Sequence, residues 1–96
     1  MITRIVKMTF RPEHTSDFEK IFQAVSPDIS KFKGCSGVQL FKDSNDPRIY
    51  FTFSTWEAEA DLENYRQSSL FKGTWQKTKP LFEAKAEAWT LTNLLK

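Results

Sequence analysis

Trp56, Tyr65, Phe71 and Trp75 fall in one short stretch of the chain, with Arg66, Ser68 and Ser69 interspersed among them. Aromatic rings supply flat apolar walls, and guanidinium and hydroxyl groups supply donors for the oxygens of a ligand. A pocket built from both kinds of group suits a small planar phenol. Phe22 and Phe53, on other elements, are expected to line it with Arg66, Phe71 and Trp75 as substrate-binding residues.

Other chemistry finds little support. Cys35 is the only cysteine, no basic partner that would activate its thiol is predictable nearby, and it reads as a structural cysteine. The only histidine, His14, sits in a polar lead-in and reads as a surface residue, so a histidine-based triad is not expected. One His and one Cys cannot build a four-ligand metal site, and no metal is expected. Glu57 with Glu59, and Asp61 with Glu63, are two residues apart; on a helix such neighbours do not face each other, so they do not act as carboxylate pairs. The glycines at 34, 37 and 73 fit neither a dinucleotide fingerprint nor a phosphate loop.

The elements that must position the aromatic set can be read from periodicity. Val6, Met8 and Phe10 are spaced by two, as on one face of a strand that Arg11-Pro12 closes. Phe18, Ile21, Phe22, Val25, Ile29 and Phe32 recur at three and four, the pattern of an amphipathic helix; Ser16 with Glu19 would cap its start, and Pro27 predicts a kink or restart. Val38 to Asp43 and Ile49 to Thr55 read as a hairpin around Ser44-Asn45-Asp46-Pro47. Ser54 with Glu57 predicts a helix starting near Trp56 and carrying Ala58, Leu62 and Tyr65 on one stripe. Gln67-Ser68-Ser69 interrupts it and offers a new N-cap, after which Phe71, Trp75, Thr78 and Phe82 mark a third helical stripe. Lys72, Lys77 and Lys79 fall mostly off that stripe, as a solvated face would. Ala86 to Leu94 reads as a last strand.

This order predicts an α+β fold of the ferredoxin-like, split βαβ kind: a four-stranded antiparallel sheet with its helices on one face. Ile5, Phe41, Trp89 and Leu91 then make the second face too apolar for water, which predicts a homodimer joined through that face.

With 96 residues the chain is expected to be one domain over its whole length, 1–96. Leu, Ile, Val and Phe make up a quarter of it, enough for a globular core. Fourteen basic and twelve acidic residues are interspersed, leaving +2, so neither nucleic acid nor a membrane surface is an expected partner. The absence of a long apolar run or of a charged leader, together with a single cysteine, predicts a cytoplasmic protein.

Several of these pieces together resemble the antibiotic biosynthesis monooxygenase family of the dimeric α+β barrel superfamily. They are Phe18 to Phe22, Gly34-Cys35, Asn45-Asp46-Pro47, and Trp56-Glu57 followed by Glu59-Ala60, Leu62, Tyr65, Ser68 and Phe71. The likeness extends over nearly the whole chain. It implies a sheet-to-sheet dimer and a cofactor-independent monooxygenase or oxidoreductase that uses molecular oxygen on a small quinol or polyphenol, without metal, flavin or haem. Carried over by position, Trp56 and Tyr65 become the catalytic pair, Trp56 as a pocket wall and Tyr65 as a polar contact to substrate. Tyr65 stands where many relatives place histidine, and Lys33 replaces the proline that often precedes Gly34. The alternative is a dimeric small-molecule-binding or stress-response domain that keeps the pocket without the chemistry.

Overall fold

A computed structural model describes residues 1–95. Four strands, β1 (Ile2–Phe10), β2 (Cys35–Lys42), β3 (Ile49–Trp56) and β4 (Phe82–Thr92), and helices α1 (Thr15–Ser30), α2 (Glu59–Arg66) and α3 (Ser69–Thr78) follow one another in the order β1-α1-β2-β3-α2-α3-β4. All neighbouring strands are antiparallel, in the order β2-β3-β1-β4, which is the ferredoxin-like arrangement expected from the sequence.

Register decides which side chains share a face. Arg4 lies opposite Ser54 and Thr90, and Met8 opposite Tyr50, so the even positions of β1 look toward the helices. Ile5 lies between Phe53 and Trp89 on the opposite face.

The covered face holds two buried clusters rather than one continuous core. Met8, Phe10, Phe18 and Tyr50 form the first, with Phe22, Trp75 and Phe82 packed against it. Phe10 stacks on Phe18 at 4.3 Å and meets Tyr50 edge-on at 5.6 Å between ring centres. The Tyr50 hydroxyl donates to the Glu19 carboxylate, which also pairs with Lys42 at 3.2 Å. Ile2, Trp56 and Leu62 form the second cluster, joined by Phe32, Cys35 and Tyr65. Each of these large side chains, on full burial, contributes about 1.5–3 kcal/mol.

Local chemistry explains where several expected boundaries shift. α1 runs through Pro27 without a restart. Pro27 falls in its last turn, where a missing N–H costs one bond, and the Lys31 amide still donates to the Pro27 carbonyl at 3.2 Å. Neither Ser16 nor Ser54 forms a capping box: α1 starts from His14 and α2 from Ala58, both without a side-chain cap. β3 instead continues to Trp56, which pairs with Ile2. β2 begins at Cys35, earlier than Val38, across a register shift that Gly37 accommodates at φ +146. β4 begins at Phe82, because a tight turn containing Pro80 ends the helical run and Phe82 then wedges between Phe10 and Trp75. Ser68 does cap α3, its oxygen accepting from the Phe71 amide at 3.1 Å. No helix among the described residues is long and apolar enough to cross a membrane.

Candidate functional site

Between the two clusters the covered face leaves a cavity of about 290 Å³. Its floor is the sheet: Arg4, Val6 and Met8 from β1, Thr52 and Ser54 from β3, Val38 from β2, and Ala86 and Ala88 from β4. Its roof is Phe18, Phe22 and Ile29 from α1, Leu62, Tyr65 and Arg66 from α2, and Phe71, Thr74, Trp75 and Thr78 from α3. A void persists because much of the floor is small, while the roof rings pack on one another instead of reaching down. Tyr65 meets Phe71 edge-on at 5.2 Å, and Phe71 lies parallel to Trp75 at 6.0 Å.

The chain between α2 and α3 holds these rings in place. Ser68 donates its hydroxyl to the Tyr65 carbonyl at 2.6 Å and accepts from the Phe71 amide, tying both ring-bearing residues to one side chain. Gly34 seats α2 from the other side. It adopts φ +84, its carbonyl accepts from the Glu57 amide at 2.8 Å, and a Cβ there would stand 2.3 Å from Asp61. Only glycine satisfies both conditions.

Tyr65, Arg66, Phe71, Trp75 and Phe22 are therefore brought to one cavity, as the sequence pattern predicts. Trp56 and Phe53 are not among its walls. Trp56 is fully buried behind Tyr65, stacked on it at 5.0 Å, with its indole N–H donated to Ser54 at 3.0 Å. It thus supports a wall instead of forming one. Phe53 lies on the far face of the sheet, in register with Ile5 and Gln39 and 36% exposed, because odd positions of β3 point away from the helices.

Arg4 is a charged lining residue that the sequence pattern does not single out. Its position has a signal: it lies two residues before Val6 and is in phase with Met8 and Phe10, so a charge sits on the inward face of a strand.

Burial pushes the Tyr65 hydroxyl up to about 12, with the Cys35 thiol adding to the shift. Tyr65 is therefore a hydrogen-bond donor at neutral pH and not a base. Burial also pushes the Cys35 thiol up, so it is no activated nucleophile. Burial lowers the Arg4 guanidinium from its ordinary value; nearby Arg66 lowers it further and Glu63 acts the other way. Among the described residues there is no cluster of three or more His, Cys, Asp or Glu able to hold a metal.

The family model for antibiotic biosynthesis monooxygenase matches residues 1–77, which contain every helix-borne residue named at the cavity except Thr78. No curated protein matches the sequence. Among solved structures, a candidate antibiotic biosynthesis monooxygenase from Nitrosomonas europaea superposes with a TM-score of 0.92 at 10% identity, covering 99% of this chain and 100% of the other. One from Bordetella bronchiseptica gives 0.86 at 23% identity, covering 98% and 97%. One from Caulobacter crescentus gives 0.91 at 17%, covering 98% and 90%. At these identities the structural likeness establishes the fold, including β4, which lies beyond the matched residues.

Proposed function

The chain belongs to the antibiotic biosynthesis monooxygenase family, and from that premise we propose that it is a cofactor-independent monooxygenase or oxidoreductase acting on a small quinol or polyphenol with molecular oxygen. The observation that carries this reading is the cavity itself. Its volume of about 290 Å³ lies just below the range of about 300–1,000 Å³ for ligand sites, which suits a small ligand. Its roof offers aromatic walls, and its polar groups are few.

The chemistry asks little of the protein beyond placement. A phenol and one oxygen molecule give a quinone and water, with all four electrons coming from the aromatic substrate, one oxygen atom entering the ring and the other leaving as water. No side chain needs to change oxidation state. Phe22, Phe71 and Trp75 would hold the ring and exclude water, and Tyr65 would donate to a substrate oxygen. Trp56, stacked behind Tyr65, acts as a positioning residue in this reading.

The apolar outer face of the sheet supports a homodimer. Phe41, Phe53, Trp89 and Leu91 are each between 36% and 46% exposed there, a surface that a second copy would cover. An unpaired Cys35 suits the reducing cytoplasm.

A non-catalytic binding domain is the second reading, favoured by one observation: among the described residues no carboxylate or imidazole lines the cavity to accept a proton. Oxygen uptake by metal-free protein with a panel of hydroquinones separates the two. Consumption above the buffer rate that saturates with substrate is expected; a panel that binds without accelerating uptake would leave only the binding domain.

A further inference from the structure

We propose that Arg4, with Arg66 beside it, forms an oxyanion-recognising end of this cavity, so that the ligand bound there is a planar aromatic anion. Its ring lies against Phe71 and Trp75 and its charged oxygen on the Arg4 guanidinium. This rests on the reading above that the cavity holds a small aromatic molecule, and it names the charge state and the residue that selects it.

The first observation is an ion without a counter-ion. Arg4 stands on the inward face of β1 between Ser54 and Thr90, and among the described residues its guanidinium is hydrogen-bonded to the Thr90 hydroxyl, which accepts from Nη1 at 2.6 Å. Among the described residues no carboxylate comes within ion-pair distance of it, whereas Lys7, Lys42, Arg48 and Arg66 each have one. A partly buried guanidinium without a carboxylate pays for its desolvation with little in return. An anionic ligand would supply the missing charge.

The second observation is the sign of the local field. Arg66 lines the same end and acts on Arg4 as a like charge. Glu63 is the acidic group that tempers them, but its carboxylate is already engaged by Arg66 at 3.3 Å and by the Gln67 amide at 2.9 Å. It does not line the cavity.

The third is an inventory of donors and acceptors. The Thr74 and Thr78 hydroxyls are spent on the carbonyls of Leu70 and Thr74, both at 2.8 Å. The Ser54 oxygen already accepts from Trp56. Those hydroxyls and that of Thr52 keep lone pairs, but the charged groups among the described lining residues are the cations Arg4 and Arg66, the Tyr65 hydroxyl adds a further donor, and no Asp or Glu lines the walls. A cavity rich in donors recognises an acceptor, and a planar guanidinium matches a delocalised oxyanion. In the oxygenase reading this answers how a phenol ionises without a base: the cation favours the phenolate, and the proton leaves to solvent.

A phenolate and an aromatic carboxylate share this chemistry, and three probes with one ring separate them: 4-nitrophenol, 4-nitrobenzoate and the non-ionising 4-nitroanisole. Binding to the intact protein is measured by equilibrium dialysis at a pH where the first two are anions. The wild type is expected to hold an anion about tenfold or more tighter than the anisole, the scale of a charge-assisted hydrogen bond. Arg4→Met should erase that preference, read as the ratio of anion to anisole affinity, and Arg4→Lys should restore part of it. Tighter binding of 4-nitrophenolate than of the benzoate assigns the oxyanion to a phenol, and the reverse assigns it to a carboxylate. The phenolate absorption band gives a second readout that needs no variant: the apparent pKa of 4-nitrophenol should fall on binding. Equal affinity of the wild type for anion and anisole would overturn the proposal while leaving an aromatic site intact. A preference that survives in Arg4→Met would overturn the assignment to Arg4. Failure of the wild type to bind any probe would remove the aromatic site and this inference together.

Discussion

The two faces of the sheet are made from the same strands and from similar residues, yet they end in opposite states. Toward the helices, Phe10, Tyr50 and Trp56 are at most 1% exposed; away from them, Phe41, Phe53, Trp89 and Leu91 remain between 36% and 46% exposed. Aromatic content therefore does not mark a site. On the outer face the large side chains stand side by side, Phe41 against Phe53 at 5.2 Å, and the recess beside Phe53, bordered by Ser36, Gly37, Gln39 and Thr55, has no second aromatic wall. On the inner face large rings lie opposite Thr52, Ser54, Ala86 and Ala88, and that mismatch in size leaves room for a ligand. The inner face suits a small molecule and the outer one a flat partner.

The largest effect should come from the inner face. Trp56→Ala removes a fully buried indole from behind Tyr65, and thermal or denaturant unfolding should register a loss of about 3–5 kcal/mol. A loss well below this would mean that the cluster at this end repacks freely. Next, Phe53→Glu places a charge on the outer face, where a dimer would have to bury it. Sedimentation at micromolar concentration should show the wild type as a dimer burying about 1,200 Å² or more in total and the variant as a monomer. The affinity of the variant for a quinol analogue should be unchanged, and a drop in affinity without a change in association would return Phe53 to the site.

A smaller effect concerns Tyr65 and alkaline pH. Its hydroxyl ionises near pH 10 in the unfolded chain and at about 12 in the folded one. Below pH 10 both states are protonated and the stability is fully present; between the two values the unfolded chain ionises first, so stability falls as pH rises. The total loss for two units is about 2–3 kcal/mol. Tyr65→Phe should flatten the decline of stability above pH 10, and an unchanged slope would show that Tyr65 is not desolvated as described.

Much of this was legible in the sequence because periodicity reports directly on backbone geometry. The split βαβ order and a new N-cap within Gln67-Ser68-Ser69 follow from spacings of two, three and four and from turn chemistry. Phe53 was misplaced for a physical reason. β3 carries Ile49, Phe51 and Phe53 in one phase and Tyr50 and Trp56 in the other. The second phase also holds Thr52 and Ser54, so alternation alone turns the more apolar Ile49, Phe51 and Phe53 phase toward the helices, whereas the register places it outward. Trp56 failed differently: a residue next to the site by sequence and by stacking is still separated from the ligand space by one ring, a fact only packing decides. A lone charge in a strand, as at Arg4, reads as an exposed residue until the register shows it in phase with Met8 and Phe10.

Anaerobic crystallisation with hydroquinone tests the contrast between the faces most directly, since without oxygen the ligand stays intact. The expected structure has the ring inside the inner cavity in contact with Phe71 and Trp75, an oxygen on Arg4 or Tyr65, and Trp56 untouched behind Tyr65. Hydroquinone seated on the outer face against Phe53 and Trp89, with the inner cavity empty, would contradict the account.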